Sequence, residues 1–125
     1  MAVPERSKRA VMFTDVVGFT SIMERSESGA MDILTRVDDV LRPRLNRNSG
    51  SLVKVMGDGT LSVFPTPPQA VSCAREIQDT LAGDEFRIRV GIHWGDVLHD
   101  RGDIFGDTVN VASRLEKVAA PGGIC

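Results

Sequence analysis

The chain has 125 residues and a mass of 13.6 kDa, and 42% of its residues are hydrophobic, which suffices for one domain with a small core. Its 15 basic and 17 acidic side chains give a net charge of -2, so the composition offers no general attraction to nucleic acid or to an anionic membrane. No apolar run approaches the ~20 residues of a membrane span, and residues 1–10 contain no secretory core. We therefore expect a cytoplasmic domain with no membrane segment and no nucleic-acid partner.

The first predicted elements are a strand and a long helix. Residues 8–14 carry apolar side chains on both faces, as in a central strand, and Asp15 follows directly. Apolar residues then recur every three or four positions, which predicts a helix that Pro43 is expected to kink or end. The stripe consists of Met31, Leu34, Val37, Leu41 and Leu45.

A hairpin and a second helix come next. Two short strand patterns, at 52–56 and 60–64, flank Gly57-Asp58-Gly59 and predict a β-hairpin with Asp58 at its tip. The segment 66–69 fits a capping box with proline at the first helical position. The helix that it begins should bury Ala70, Ala74, Ile77 and Leu81.

The last part of the chain predicts one more strand and one more helix. Strict alternation over 86–93 indicates a half-buried strand with one polar face. Asp107 can cap a final helix. The apolar stripe of that helix would be Val111, Leu115 and Val118.

This order of elements suits an α+β fold. We predict a ferredoxin-like split β-α-β sandwich, in which helices pack on one face of an antiparallel sheet. The second face would then stay open for a ligand or a partner. Met12 and Phe64, if they lie on that face, favour a dimer.

Two aspartates stand out because each follows a strand pattern near a glycine. If their strands pair, at a spacing of ~4.8 Å, Asp15 and Asp58 could share one divalent ion or bracket two ions ~3.5–4 Å apart. Mg²⁺ takes oxygen ligands and commonly uses only one or two protein carboxylates. An Asp-Gly hairpin by itself is usually only a turn, so a phosphate-handling metal site and a simple turn both stay open.

Asn110 and Arg114 form a second candidate group. They are four residues apart, so on a helix they project from the same face. Val111 and Leu115 lie about 100° further around the axis, which lets the helix bury an apolar side while it presents an amide and a guanidinium to a cavity. The ordinary alternative for such a pair is a solvated helix surface.

Four sequence blocks together resemble the catalytic domain of the class III nucleotidyl cyclases, the adenylate and guanylate cyclase family. The resemblance implies that residues 1–125 form a single catalytic domain, truncated at its carboxyl end relative to the family. The blocks run through nearly the whole chain in the order of the family: Phe-Thr-Asp-Val-Val-Gly-Phe-Thr at 13–20, Lys-Val-Met-Gly-Asp-Gly at 54–59, Arg-Val-Gly-Ile-His-Trp-Gly at 89–95 and Asp-Ile-Phe-Gly-Asp-Thr-Val-Asn-Val-Ala-Ser-Arg at 103–114.

The resemblance implies a metal site and a phosphate site. Asp15 and Asp58 would ligate two Mg²⁺ or Mn²⁺ ions per site. The loop after the first strand contains no Gly-Lys-Ser of the P-loop type, so backbone amides at a helix N-terminus are the expected phosphate donors. The residues in question are Val16, Val17, Gly18, Phe19 and Thr20.

The resemblance also implies roles for four further side chains. Lys54 and Asp103 fall where adenine-selective members read the purine, with the lysine donating to a ring nitrogen and the aspartate accepting from the exocyclic amine. Asn110 falls where the family orients the ribose. Arg114 falls where the family stabilises charge on the α-phosphate.

These roles imply an adenylate cyclase that converts ATP to 3′,5′-cyclic AMP and pyrophosphate by two-metal-ion catalysis, in a homodimer with shared active sites. The two aspartates would come from one subunit and the other four side chains from its partner. A guanylate cyclase that uses GTP stays open, as does a non-catalytic nucleotide-binding or dimerisation module of a signalling protein. Arg89 is interpreted as a solvated strand residue, with a dimer contact as the alternative.

Overall fold

The fold is an α+β sandwich, seen in a computed structural model that describes residues 3–125. All strand pairs within the five-stranded sheet are antiparallel, and the strand order is β2-β3-β1-β4-β5. The predicted fold class is therefore confirmed. The elements are β1 (Glu5–Val16), α1 (Phe19–Arg25), α2 (Glu27–Arg47), β2 (Ser51–Met56), β3 (Gly59–Phe64), α3 (Pro67–Leu81), β4 (Ile88–Asp100), β5 (Asp103–Phe105) and α4 (Asp107–Val118).

Helices α1, α2 and α3 cover one face of this sheet. Met12 of β1 and Phe64 of β3 are completely buried there, in one cluster with Leu41 of α2 and Ile77 of α3. The expectation that Met12 and Phe64 lie on an open face is therefore wrong. Alternation along β1 directs its even-numbered side chains toward these helices.

The boundaries of several elements differ from the prediction. Helix α2 continues past Pro43 and ends at the C-cap Asn48 instead of stopping at the proline. Helix α1 has 7 residues and β5 has 3, and periodicity predicted neither because such short elements show no clear pattern. The helix N-terminus that the family resemblance implied near residues 16–20 is the start of α1. The capping box of Thr66 and Gln69 and the buried face of α3 are as predicted. None of the helices in residues 3–125 combines the length and the apolar character that crossing a bilayer requires.

Helix α4 lies on the opposite face of the sheet, over β4 and β1. Its N-cap is Gly106, so Asp107 occupies the first turn instead of capping it. The stripe predicted for burial is wrong as well, since Val118 at its end is 74% exposed. The side chains that α4 does bury are small or polar, namely Thr108, Ala112 and Glu116.

Two glycines of β4 explain why α4 is rotated in this way. A Cβ atom at Gly91 would come within 2.2 Å of the Glu116 amide nitrogen and 2.6 Å of the Ala112 carbonyl oxygen. A Cβ atom at Gly95 would come within 2.5 Å of the Thr108 hydroxyl. The helix backbone therefore lies directly on the strand, and only small side chains fit between them.

The sheet also curls around a second, smaller core on the α4 face. Val11 of β1, Leu61 of β3, Val97 of β4 and Ile104 of β5 belong to this core, together with Ala112 of α4. Strands β2 and β5 are the two edges of the sheet, yet they come into contact. Curling thus brings together residues that a flat sheet of this order would hold apart.

Substitution of Gly91 tests the close contact between α4 and β4. Gly91→Ala should lower the free energy of unfolding by about 1–3 kcal/mol, because the atoms that its methyl group meets are backbone atoms of α4. Chemical denaturation measures the change. Gly83→Ala is the matched control, since nothing lies within 4 Å of its added methyl group. Equal stability of the two variants would contradict the close packing.

Candidate active site

Asp15 and Asp58 flank the same end of the sheet. Asp15 lies near the end of β1, and Asp58 lies in the turn between β2 and β3. Because β3 pairs with β1, this turn stands beside the end of β1, where Oδ2 of Asp58 accepts a hydrogen bond from the Val16 amide at 3.0 Å. The structure therefore brings the two carboxylates to one place.

The loop that follows β1 leads into the N-terminus of α1. The Val17 amide donates to the Arg87 carbonyl at 2.9 Å, so the amides of Val16 and Val17 are both used within the protein. Gly18 caps α1 with a positive φ of 66° and provides no side chain as a cap. The first helical bond runs from the Ile22 amide to the Gly18 carbonyl, which leaves the amides of Phe19 and Thr20 without an intrahelical partner.

Arg89 holds Asp15 with two hydrogen bonds. Its Nε lies 3.2 Å from Oδ1 of Asp15, and its Nη2 lies 2.9 Å from Oδ2. The two residues are direct cross-strand partners on β1 and β4. The interpretation of Arg89 as a solvated residue is therefore wrong, because the face of β4 that carries it is covered by α4 and bears the Asp15 carboxylate.

Glu116 of α4 completes this cluster. Only 4% of its side chain is exposed, and its Oε1 lies 3.6 Å from Nε of Arg89. Burial and a hydrogen bond to Asp15 raise the pKa of Glu116 to about 7. Burial opposes ionisation of Asp15 too, but hydrogen bonds from Glu116 and Arg89 outweigh it and lower the pKa of Asp15. Asp15 is thus the charged member of the acid pair.

Lys54 and Asp103 form a separate pair at the meeting point of the two sheet edges. The Lys54 Nζ lies 2.9 Å from Oδ2 of Asp103, and the two side chains are 42% and 31% exposed. Oδ1 of Asp103 accepts a hydrogen bond from the Ile104 amide at 2.7 Å. The hydrogen bond from Lys54 lowers the pKa of Asp103, so a cationic donor and an anionic acceptor stand side by side at the surface.

Asn110 and Arg114 are exposed on α4. Residues of an α-helix advance by about 100° each, so Arg114 projects about 160° away from Glu116, and Asn110 about 120° away. Because Glu116 points at Asp15, Arg114 points away from the Asp15 of its own chain. The structure therefore does not bring Asn110 and Arg114 to Asp15 and Asp58 within one chain.

The two aspartates suit a hard divalent cation. The described residues contain no group of three or more His, Cys, Asp and Glu side chains that could hold a metal. A Mg²⁺ site needs only one or two carboxylates when phosphate and water complete the shell, and Asp15 and Asp58 supply such a pair. Asp15, however, is already held by Arg89, so a cation there has to compete with a guanidinium.

Comparison with known proteins assigns the family. The adenylate and guanylate cyclase catalytic domain matches residues 1–125. The chain belongs to this family. An adenylate cyclase of Streptomyces coelicolor is 38% identical over 88% of the chain, which spans 30% of the length of that protein. The chain spans less than a third of the length of the curated relatives that it matches, between 22% and 30% for three of them.

Solved cyclase structures have the same fold. An adenylate/guanylate cyclase/hydrolase from Silicibacter pomeroyi is 38% identical, has a TM-score of 0.86 and is aligned over 98% of this chain and 77% of its own. The catalytic core of a rhodopsin-guanylyl cyclase with converted specificity, in complex with ATPαS, is 28% identical with a TM-score of 0.88. It is aligned over 98% of this chain and 78% of its own.

The sequence analysis did not place Arg89 and Glu116 beside Asp15. The role of Arg89 depends on the register of β1 and β4, which pairs it with Asp15 and which no local pattern predicts. A signal for Glu116 did exist. Thr108, Ala112 and Glu116 recur every four residues and so share one helix face, and Gly91 and Gly95 share one strand face with no side chain, which permits a close helix–strand contact.

The raised pKa of Glu116 predicts a pH-dependent stability. Between its ordinary pKa of 4.5 and about 7, the folded cyclase domain keeps a proton that the unfolded chain releases. The contribution of Glu116 to stability is therefore present below pH 4.5 and is lost as the pH rises through about 7. Relative to Glu116→Gln, the free energy of unfolding of the unmodified domain should fall across this window, as urea denaturation at a series of pH values will show. Parallel curves for the two proteins would contradict the raised pKa.

Proposed function

We propose that this domain is an adenylate cyclase that converts ATP to 3′,5′-cyclic AMP and pyrophosphate in a homodimer with shared active sites. Membership of the cyclase family supports the reaction class. The observation that carries the choice of ATP is the ion pair between Lys54 and Asp103, which offers one donor and one acceptor at the surface. We further propose that residues 1–125 act as one catalytic domain. The two cysteines are free, which agrees with a reducing cytoplasm.

The Lys54–Asp103 pair matches the hydrogen-bonding edge of adenine. The adenine ring nitrogen accepts a hydrogen bond, as the Lys54 ammonium requires, and the exocyclic amine donates one, as the Asp103 carboxylate requires. The corresponding edge of guanine carries an oxygen acceptor and a ring N–H, so it reverses this order. Oδ1 of Asp103 accepts from the Ile104 amide and Oδ2 accepts from Lys54, so the exocyclic amine of adenine would donate to a second lone pair of this carboxylate.

GTP is the second candidate substrate. Several structural neighbours are guanylyl cyclases, among them a domain from Catenaria anguillulae that was solved in complex with GTP and is 28% identical to this chain. The rhodopsin-guanylyl cyclase core with converted specificity, in complex with ATPαS, shares the same fold. We therefore infer that the side chains at the base site, and not the fold, decide between the two nucleotides.

The geometry of α4 supports an active site shared between two protomers. One side of the helix holds Glu116 against Arg89, which binds Asp15 of its own chain, while Asn110 and Arg114 project from the other side into solvent. A symmetric partner would place its own α4 opposite the first protomer's carboxylates, and two complete sites would form. A single chain holds only the separated halves.

The metal-binding half would consist of Asp15 and Asp58. When bound, Mg²⁺ or Mn²⁺ ions would neutralise part of the triphosphate charge and make the ribose 3′-hydroxyl more acidic. Backbone amides at Gly18, Phe19 and Thr20 would bind the β- and γ-phosphate oxygens. The amides of Val16 and Val17 contribute less in this proposal, because each already donates to a group of the protein.

The other half would come from the partner subunit. The partner's Lys54 and the partner's Asp103 would bind adenine, and the partner's Asn110 would orient the ribose so that its 3′-oxygen faces the α-phosphorus. That oxygen would give its proton to solvent water and form a bond to the α-phosphorus, while the bond from the α-phosphorus to the bridging oxygen would break and pyrophosphate would leave with the electron pair of that bond. The partner's Arg114 would stabilise the charge that develops on the α-phosphate.

A cyclic-nucleotide assay with Mn²⁺ and with Mg²⁺ tests this function. We expect kcat/KM for ATP to exceed that for GTP by ~10²-fold or more, because GTP leaves Lys54 and Asp103 mispaired. Asp58→Asn should lose the activity. The matched control is Asp96→Asn, which removes an exposed ion pair with Lys8. A faster reaction with GTP than with ATP would identify GTP as the substrate. The absence of a cyclic product from either nucleotide would contradict the proposed activity.

Mixing two inactive variants tests the shared site. Asp58→Ala and Arg114→Ala damage opposite halves, so a mixed dimer keeps one of its two sites intact. With equal amounts and random pairing, half of the dimers are mixed, and activity should recover to about a quarter of that of the unmodified protein. Size-exclusion chromatography with light scattering verifies that dimers form. Dimers without any recovered activity would contradict a site built from both protomers.

A further inference from the structure

Glu116 is a buried acid to which the proposed reaction gives no task. Its side chain is 4% exposed, and its Oε1 has no hydrogen-bond partner among the described residues. An unpaired polar atom at such depth is costly, so a structure that retains one needs a reason for it. The nearest cation is Arg89, whose Nε lies 3.6 Å from that oxygen.

Arg89 blocks the carboxylate on which the proposed cation site depends. It donates to both oxygens of Asp15, through Nε to Oδ1 and through Nη2 to Oδ2. A bidentate guanidinium is among the strongest partners that a carboxylate finds in a protein. A divalent cation that binds Asp15 therefore has to displace Arg89, and only 28% of the Arg89 side chain is exposed, so its charge needs another partner nearby.

Three acids act on Arg89, and only one of them stays free when the cation binds. The hydrogen bond to Asp15 and the charge of Asp15 do most to raise the pKa of the Arg89 guanidinium, and Glu116 and Asp58 act in the same direction. Asp15 and Asp58 become cation ligands in the proposed function. Nη1 of Arg89 already donates to the Lys117 carbonyl at 3.1 Å, and the unpaired oxygen of Glu116 is then the remaining carboxylate oxygen near its Nε.

We propose that Glu116 is a positioning residue that accepts the Arg89 guanidinium when a divalent cation takes Asp15. This inference rests on the proposed function, because it assumes the cation site at Asp15 and Asp58. The exchange breaks no covalent bond. Arg89 moves from Asp15 to a second acidic side chain, whose Oε1 already lies 3.6 Å from its Nε.

Binding of Mn²⁺ alone tests the role of Glu116. In Glu116→Gln the displaced guanidinium finds no carboxylate, so the Kd for Mn²⁺, measured by electron paramagnetic resonance of the free ion, should rise ~10-fold. Arg89→Ala removes the competitor and should tighten binding. In the Arg89→Ala background, Glu116→Gln should change the Kd less than ~2-fold, since no guanidinium is left to accept. Equal effects of Glu116→Gln in both backgrounds would overturn the proposal.

Two further variants separate this role from a structural one. Glu76→Gln is the matched control, because Glu76 pairs with Arg47 on another face of the protein, and its Mn²⁺ affinity should equal that of the unmodified protein. If Glu116→Gln fails to fold, Arg89→Lys tests the same competition, since lysine cannot hold Asp15 with a planar fork. Tighter Mn²⁺ binding by Arg89→Lys supports the exchange, and unchanged or weaker binding overturns it.

Asp58→Asn distinguishes failure of this inference from failure of the proposed function. If Asp58→Asn loses Mn²⁺ binding while Glu116→Gln binds Mn²⁺ as the unmodified protein does, the cation site is supported and the proposed role of Glu116 is contradicted. If Asp58→Asn binds Mn²⁺ normally, or if the unmodified protein binds none, the proposed cation site is contradicted. The exchange at Arg89 is then contradicted as well, because it depends on that site.

Discussion

The close contact of α4 with β4 is the constraint on which the site depends. Gly91 and Gly95 let the helix backbone rest on the strand, and this contact fixes which side of α4 is buried. Glu116 is thereby directed at Asp15, and the opposite side of the helix carries Asn110 and Arg114 into solvent. In the proposed dimer one helix would therefore take part in two half-sites, and its rotation would decide which residues belong to each.

A second constraint is the curvature of the sheet. The small core on the α4 face draws β2 and β5 together, although the strand order places them at opposite edges. The pair of Lys54 and Asp103 exists only because of this curvature. The proposed base site therefore rests on the apolar packing beneath it.

Much of the site could be located from the sequence because its signals are local. The Asp-Gly turn after a strand pattern places Asp58, and the apolar run before Asp15 places the first carboxylate. Likewise, the spacing of Asn110 and Arg114 places both on one face of a helix. Residues whose role depends on contacts between distant segments were misread. Arg89 was predicted to be solvated, but it pairs with Asp15 across β1 and β4. Val118 was predicted to be buried, but the rotation of α4 exposes it.

The sequence by itself determined the family, the main secondary-structure elements, and the side chains available for nucleotide and metal chemistry. Turn chemistry, periodicity and motif order are properties of neighbouring residues, so they can be read without a fold. Only the tertiary structure decided that Asp15 is held by Arg89 beside the buried Glu116, and that Asn110 and Arg114 point away from Asp15 within one chain. The reason is that the register of the strands and the rotation of the helix are set by packing across the sheet. This packing joins segments that are far apart in sequence, so no local pattern reveals it.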